Sequence, residues 1–119
     1  MKQKYDIIII GGGHAGLEAA LICSQKNCVV LIITQDINAI GRMSCNPAIG
    51  GLAKGQIVRE IDVLGGQMGC FTDKAGIQFK TLNKSKGRSV WSPRAQVDKR
   101  LYEKTAQKEI FLRKNIFTY

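Results

Sequence analysis

Apolar and polar positions follow two different periods along this chain. Tyr5-Asp6-Ile7-Ile8-Ile9-Ile10 is a short run rich in β-branched residues and reads as a first strand over 5–10. Leu17-Glu18-Ala19-Ala20-Leu21-Ile22 switches to helical spacing, which predicts a helix over 14–26. Cys28-Val29-Val30-Leu31-Ile32-Ile33 is a second strand over 28–33. Residues 34–56 lose periodicity and are rich in Gly, Ser, Asn and Pro; a loop that long in a compact domain is usually functional or mobile. Ile57-Val58-Arg59-Glu60-Ile61-Asp62-Val63-Leu64 predicts a short helix within 55–66, ended by Gly65-Gly66. Short segments follow, with Gly76-Ile77-Gln78-Phe79-Lys80 extended. Ser92-Pro93 offers a capping hydroxyl and a first-turn proline, so a helix is expected from Arg94 to Ile110. Val97, Leu101, Ala106 and Ile110 would form its apolar stripe. Asn115-Ile116-Phe117-Thr118-Tyr119 reads as the start of a third strand. No internal repeat or low-complexity segment interrupts this order.

The junction of first strand and first helix is Gly11-Gly12-Gly13-His14-Ala15-Gly16. Glycine-rich turns are common, but this one has a strand before it and a helix after it, the context a dinucleotide fingerprint requires. Gly11 would let the chain turn, Gly13 would let a pyrophosphate reach the backbone, and Gly16 would let the helix pack on the strand. The helix N-terminus then offers free N–H groups and a positive dipole end to the anion. An acid that binds ribose hydroxyls is expected about 20 residues on. That position holds Thr34, followed by Gln35 and Asp36. Either Asp36 serves, or a polar side chain and backbone replace it, or Asp36 is a solvent-exposed loop residue.

At 119 residues the chain is one small domain at most. Its hydrophobic content of 45% marks it as globular, and its apolar runs are too short to span a membrane. The basic start Met1-Lys2-Gln3-Lys4 is followed by Asp6 and only four isoleucines, which reads as a strand rather than a signal peptide. The four cysteines, Cys23, Cys28, Cys45 and Cys70, form no CxxC pair, and with one histidine there is no metal-ligand set. Cys23 and Cys28 read as small core residues. A reducing, cytoplasmic or organellar compartment is expected. Charge is uneven: residues 1–79 hold seven Lys/Arg against six Asp/Glu, and residues 80–119 hold eleven against three. The basic half suits a polyanion such as RNA, or is a solvated helix face.

Several motifs now fall into one order: Gly11-Gly12-Gly13-His14-Ala15-Gly16-Leu17-Glu18-Ala19-Ala20, Met43-Ser44-Cys45-Asn46-Pro47-Ala48-Ile49-Gly50-Gly51 with Lys54-Gly55, and Glu60-Ile61-Asp62-Val63-Leu64-Gly65-Gly66. Gly76-Ile77-Gln78-Phe79, Leu82-Asn83, Ser85-Lys86-Gly87 and Arg94-Ala95-Gln96, with Asp98 and Tyr102, complete it. Over about residues 5–110 the chain resembles the N-terminal part of the MnmG (GidA) family, flavoproteins of tRNA wobble-uridine modification. The resemblance implies an α/β, Rossmann-like FAD-binding βαβ fold, here incomplete, with 1–119 the N-terminal part of the FAD domain. It implies FAD on the glycine loop, NADH as reductant, tRNA as substrate, an MnmE-like GTPase as partner and a homodimer. The NADH site and the tRNA-meeting C-terminal domain of the family have no counterpart in these residues. The sequence therefore reads as a fragment without activity of its own, with strand 1 left open along one edge.

On that resemblance Gly11, Gly12, Gly13, His14, Ala15, Gly16, Asn46, Gly50 and Gly51 are the candidate cofactor contacts. Cys45 is the candidate catalytic thiol, placed before an expected helix start with Arg42 or Lys54 near it; the alternative is a small residue packed under the flavin. It would attack the pyrimidine or take up the one-carbon unit. His14 is expected to pack beside the cofactor or cap the turn. Lys54, Lys80, Lys86, Arg88 and Arg94 are candidates for flavin or tRNA phosphate, Arg94 foremost because of its expected helix start; solvated surface is the alternative. Trp91 either stacks on a base or is structural, and Asp98 and Tyr102 read as structural. Arg88 and Arg42 depart from the family, where Pro and Gln are common. Other classes stay open: a flavin- or nucleotide-binding module without catalysis, and another flavin oxidoreductase, which the missing CxxC disfavours.

Overall fold

The computed structural model describes residues 4–119, so the start Met1-Lys2-Gln3 lies outside the described residues. Two compact units are built from them: residues up to Arg42 together with Glu103–Tyr119, and Met43–Tyr102.

The first unit is the βαβ reading made concrete. β1 (Ile7–Ile10), α1 (His14–Gln25) and β2 (Val30–Ile33) follow one another, and β6 (Ile116–Thr118) joins the far side of β2. All pairs are parallel, with Ile7 opposite Val30 and Val30 opposite Ile116. The order β6-β2-β1 reproduces the 3-2-1 half of a dinucleotide-binding sheet. Leu17, Ala20 and Leu21 of α1 are buried, as are Val30 and Ile32 of β2, so helix and sheet share one core. Asn115 ties the structure behind β2: its amide donates to the carbonyls of Ser24 and Cys28, and its Oδ1 accepts from the Ser24 hydroxyl. Among the described residues β1 is paired on one side only, and Ile8 and Ile10 are 57% and 87% exposed.

The second unit is an antiparallel sheet in the order β3-β5-β4: β3 (Ala48–Gly50), β4 (Gly76–Leu82) and β5 (Ser92–Val97). α2 (Lys54–Val63) and α3 (Met68–Ala75) belong to it, and its core includes Phe71, Ala75, Ala95, Val97 and Tyr102. The Phe71 and Tyr102 rings meet edge to face at 5.9 Å. α2 ends where the glycines predict: Gly65 has φ +91°, and the Gly65 and Gly66 amides donate to Asp62 and Ile61.

The helix expected from Arg94 does not start there. Ser92–Val97 is a strand, and α4 runs over Lys99–Phe111. Its cap is Asp98, whose Oδ1 accepts from the Arg100 and Leu101 amides at 2.8 and 3.1 Å. The fixed φ of Pro93 suits an extended chain as well as a helix start, and the alternation of buried Ala95 and Val97 with exposed Arg94 and Gln96 is strand spacing. The buried stripe of α4 is Tyr102, Ala106 and Ile110; Leu101 is exposed and Val97 belongs to β5. Cys23 and Cys28 are half-buried rather than core residues.

Candidate functional site

The glycine turn assigns a separate physical role to each of its glycines. Gly11 has φ +107°, which an L side chain would strain, and its amide donates to the Ile33 carbonyl at 2.8 Å. Gly12 is wedged: a Cβ there would lie 2.9 Å from Ile40 Cγ1 and 3.3 Å from Thr34 Oγ1. Gly16 is required by packing, because a Cβ would overlap the Gly11 carbonyl oxygen. Gly13 differs from both. Its φ is −71° and a Cβ would meet nothing within 4 Å, so neither conformation nor packing asks for glycine. Gly13 is the N-cap residue of α1 and makes no side-chain cap; no acid occupies the first turn. Open space in front of a bare, uncapped helix start is the cradle an anionic group fits. His14 and Ala15 open the helix itself.

The end of β2 settles what Asp36 does in this fold. Its Oδ1 accepts from the Asn38 amide at 2.9 Å, and its Oδ2 lies 3.6 Å from the Arg42 guanidinium. Arg42 in turn donates through Nε to Glu103 at 3.0 Å. Asp36 is therefore engaged in its own turn. Thr34, not Asp36, stands beside the glycine turn.

In the second unit the Cys45 loop differs from expectation. The segment behind it is β3, not a helix. Arg42 is held by Asp36, Glu103 and the Asn38 carbonyl. The cation bound to this loop is Lys99, which donates to the Cys45 carbonyl at 2.7 Å; with 54 positions between the two, nothing local in the chain marks the contact. Cys45 is exposed, with Ser44 Oγ 3.9 Å from its Sγ, and Asn46 beside it is exposed too. Gly50 and Gly51 both have φ +99°. A Cβ at Gly50 would overlap the Pro93 carbonyl, so packing alone demands glycine there; Gly51 faces open space. The Ser92 hydroxyl donates to the Gly51 carbonyl.

Of the five candidate cations only two are brought together. Lys80 of β4 and Arg94 of β5 sit directly opposite each other across the strands, both exposed, on a strand rather than at a helix start. Among the described residues neither pairs with a carboxylate. Lys54 opens α2 and is exposed; Lys86 lies in a 3-10 turn. Arg88 lies 5.8 Å over the Trp91 ring, and Trp91 Nε1 donates to the Lys84 carbonyl at 3.2 Å. Both residues thus have structural work. A cleft of about 680 Å³ within this unit is lined by Gly50, Lys80 and Arg94 of the candidate residues, together with Asp62, Cys70 and Asp73, which carried no signal in the sequence. Among the described residues no helix is long and apolar enough to cross a membrane.

Comparison with known proteins accords with this geometry. The model of the family "Glucose inhibited division protein A" matches residues 6–118. The tRNA uridine 5-carboxymethylaminomethyl modification enzyme MnmG of Bacteroides thetaiotaomicron is 62% identical over 99 residues, 83% of this chain and 16% of the relative. Its namesake in Endomicrobium trichonymphae is 51% identical over 116 residues, 98% of this chain and 19% of the relative. The structure of Aquifex aeolicus GidA superposes with a TM-score of 0.93 at 49% identity, covering 98% of this chain and 19% of that one. The chain thus spans 16–19% of the length of these relatives. PqsL of Pseudomonas aeruginosa, a probable FAD-dependent monooxygenase, shares the fold alone, with a TM-score of 0.57 at 14% identity. With a glycine turn between strand and helix, the order of motifs behind it and a family match over residues 6–118, the chain belongs to the glucose inhibited division protein A family.

Proposed function

We propose that these residues form the FAD-binding N-terminal segment of a flavoprotein that modifies the wobble uridine of tRNA. The observation that carries the reading is the 51–62% identity to relatives named for tRNA uridine modification. The open, uncapped cradle at Gly13 gives it physical support.

Gly11, Gly12, Gly13, His14, Ala15 and Gly16 would hold the pyrophosphate of FAD through backbone N–H groups and the positive end of α1. In the second unit Asn46, Gly50 and Gly51 stand as cofactor candidates on the family resemblance alone. When bound, the flavin supplies redox chemistry that no side chain can. Cys45, exposed and carried on a loop whose backbone Lys99 anchors, is the thiol to attack the pyrimidine or take up the one-carbon unit. Lys80 and Arg94 repel each other across β4 and β5, a cost that a bound phosphate would offset. They are the strongest pair for tRNA phosphate, with Lys54, Lys86 and Arg88 as outlying contacts. NADH, an MnmE-like GTPase, a homodimer and a cytoplasmic site of action belong to the full-length protein in this reading; the 119 residues alone bind but do not catalyse.

The test is the visible spectrum of the purified chain after adding FAD and passing through gel filtration. Flavin absorbance travelling with folded protein supports the reading. Folded protein that emerges colourless contradicts it.

A further inference from the structure

We propose that Thr34 takes the place of the ribose-binding acid, so that a hydroxyl rather than a carboxylate meets the adenosine ribose of the cofactor. This rests on the flavin reading above and adds a positioning residue to it.

In dinucleotide-binding folds the residue at the end of the second strand hydrogen-bonds the ribose 2′-hydroxyl, and it is ordinarily Asp or Glu. Thr34 is the first residue beyond β2. Its backbone is pinned, because its amide donates to the Tyr119 carbonyl at 2.8 Å while the Tyr119 amide donates to Ile32 at 2.8 Å. Its Oγ1 stands 3.3 Å from where a Cβ of Gly12 would lie, so the hydroxyl is set against the glycine turn. Among the described residues its hydroxyl has one partner, the Asp36 carbonyl at a stretched 3.5 Å. A hydroxyl held so loosely can turn to a closer acceptor or donor. The nearest acid has other duties. Asp36 gives one carboxylate oxygen to the Asn38 amide and the other to Arg42, and Arg42 is itself fixed by Glu103. Turning Asp36 toward a ribose would break both its contacts; turning Thr34 breaks one weak one.

The test compares binding of ADP and 2′-deoxy-ADP to the folded chain, by calorimetry, in wild type, Thr34→Val, Thr34→Ser and Asp36→Asn. The wild type should prefer ADP by about 3- to 10-fold, the value of one neutral hydrogen bond. Thr34→Val should abolish that preference, Thr34→Ser should keep it, and Asp36→Asn should keep it while lowering thermal stability. If Thr34→Val does not fold, Thr34→Ala reads the same quantity. A preference that survives in Thr34→Val or Thr34→Ala, or that disappears in Asp36→Asn, overturns the assignment. Failure of the folded wild type to bind ADP or FAD at all overturns the flavin reading itself, and the assignment falls with it.

Discussion

The glycine turn of the first unit and the Cys45 loop of the second are both rich in glycine and polar residues, yet they are built differently. In the turn the tightest contact is local, Gly16 on the Gly11 carbonyl, and the Gly11 amide bonds the end of the strand that directly follows α1. In the loop the contacts are remote. Gly50 packs on Pro93, Gly51 is held by Ser92, and the Cys45 carbonyl is held by Lys99. A local turn announces itself in a short window of residues. A loop held from 40 or 50 positions away does not.

The comparison can be broken most severely at Gly16. Gly16→Ala forces a methyl group into the Gly11 carbonyl, and it should cost about 4 kcal/mol of stability, measured by denaturant unfolding, along with any flavin binding. Loss of flavin with full stability would mean that Gly16 meets the ligand rather than the turn. In the second unit the matching change is Phe71→Ala. It removes a fully buried ring and its edge-to-face partner in Tyr102, and should cost about 3 kcal/mol, read through the emission of Trp91 in the same unit. A smaller effect is expected at Asp98. Asp98→Ala leaves two amides at the start of α4 without their acceptor and should cost about 1 kcal/mol; an unchanged midpoint would mean that Asp98 does not cap the helix.

Much of the first unit was legible because each element is coded locally. The isoleucine run, the glycines, the helical spacing of Leu17 to Ile22 and the tail strand all formed, trimmed by one or two residues at their ends. The open edge of β1 was also legible, as a count of strands. The second unit was less so. β3 is three residues long and exists only through its pairing with β5, Ile49 opposite Ala95. α3 is eight residues with no side-chain cap, so nothing marked its start. Ser92-Pro93 carried a true helix-start signal that tertiary pairing overrode, while Asp98, five positions beyond Pro93 in the chain, was the real cap. The candidate cations show the same limit. Composition identified a basic half, but only strand register could place Lys80 opposite Arg94 and stack Arg88 on Trp91.

The proposed flavin site rests on Gly13, which in that proposal is glycine for the ligand rather than for packing. Gly13→Ala tests it alone, since the added methyl meets no protein atom within 4 Å and φ is already negative. Unfolding and FAD affinity should be measured side by side on this variant. A stability loss of about 1 kcal/mol, the ordinary cost of alanine at an N-cap, is expected, together with a fall in FAD affinity of about tenfold or more. Undiminished affinity in a folded Gly13→Ala chain would contradict it.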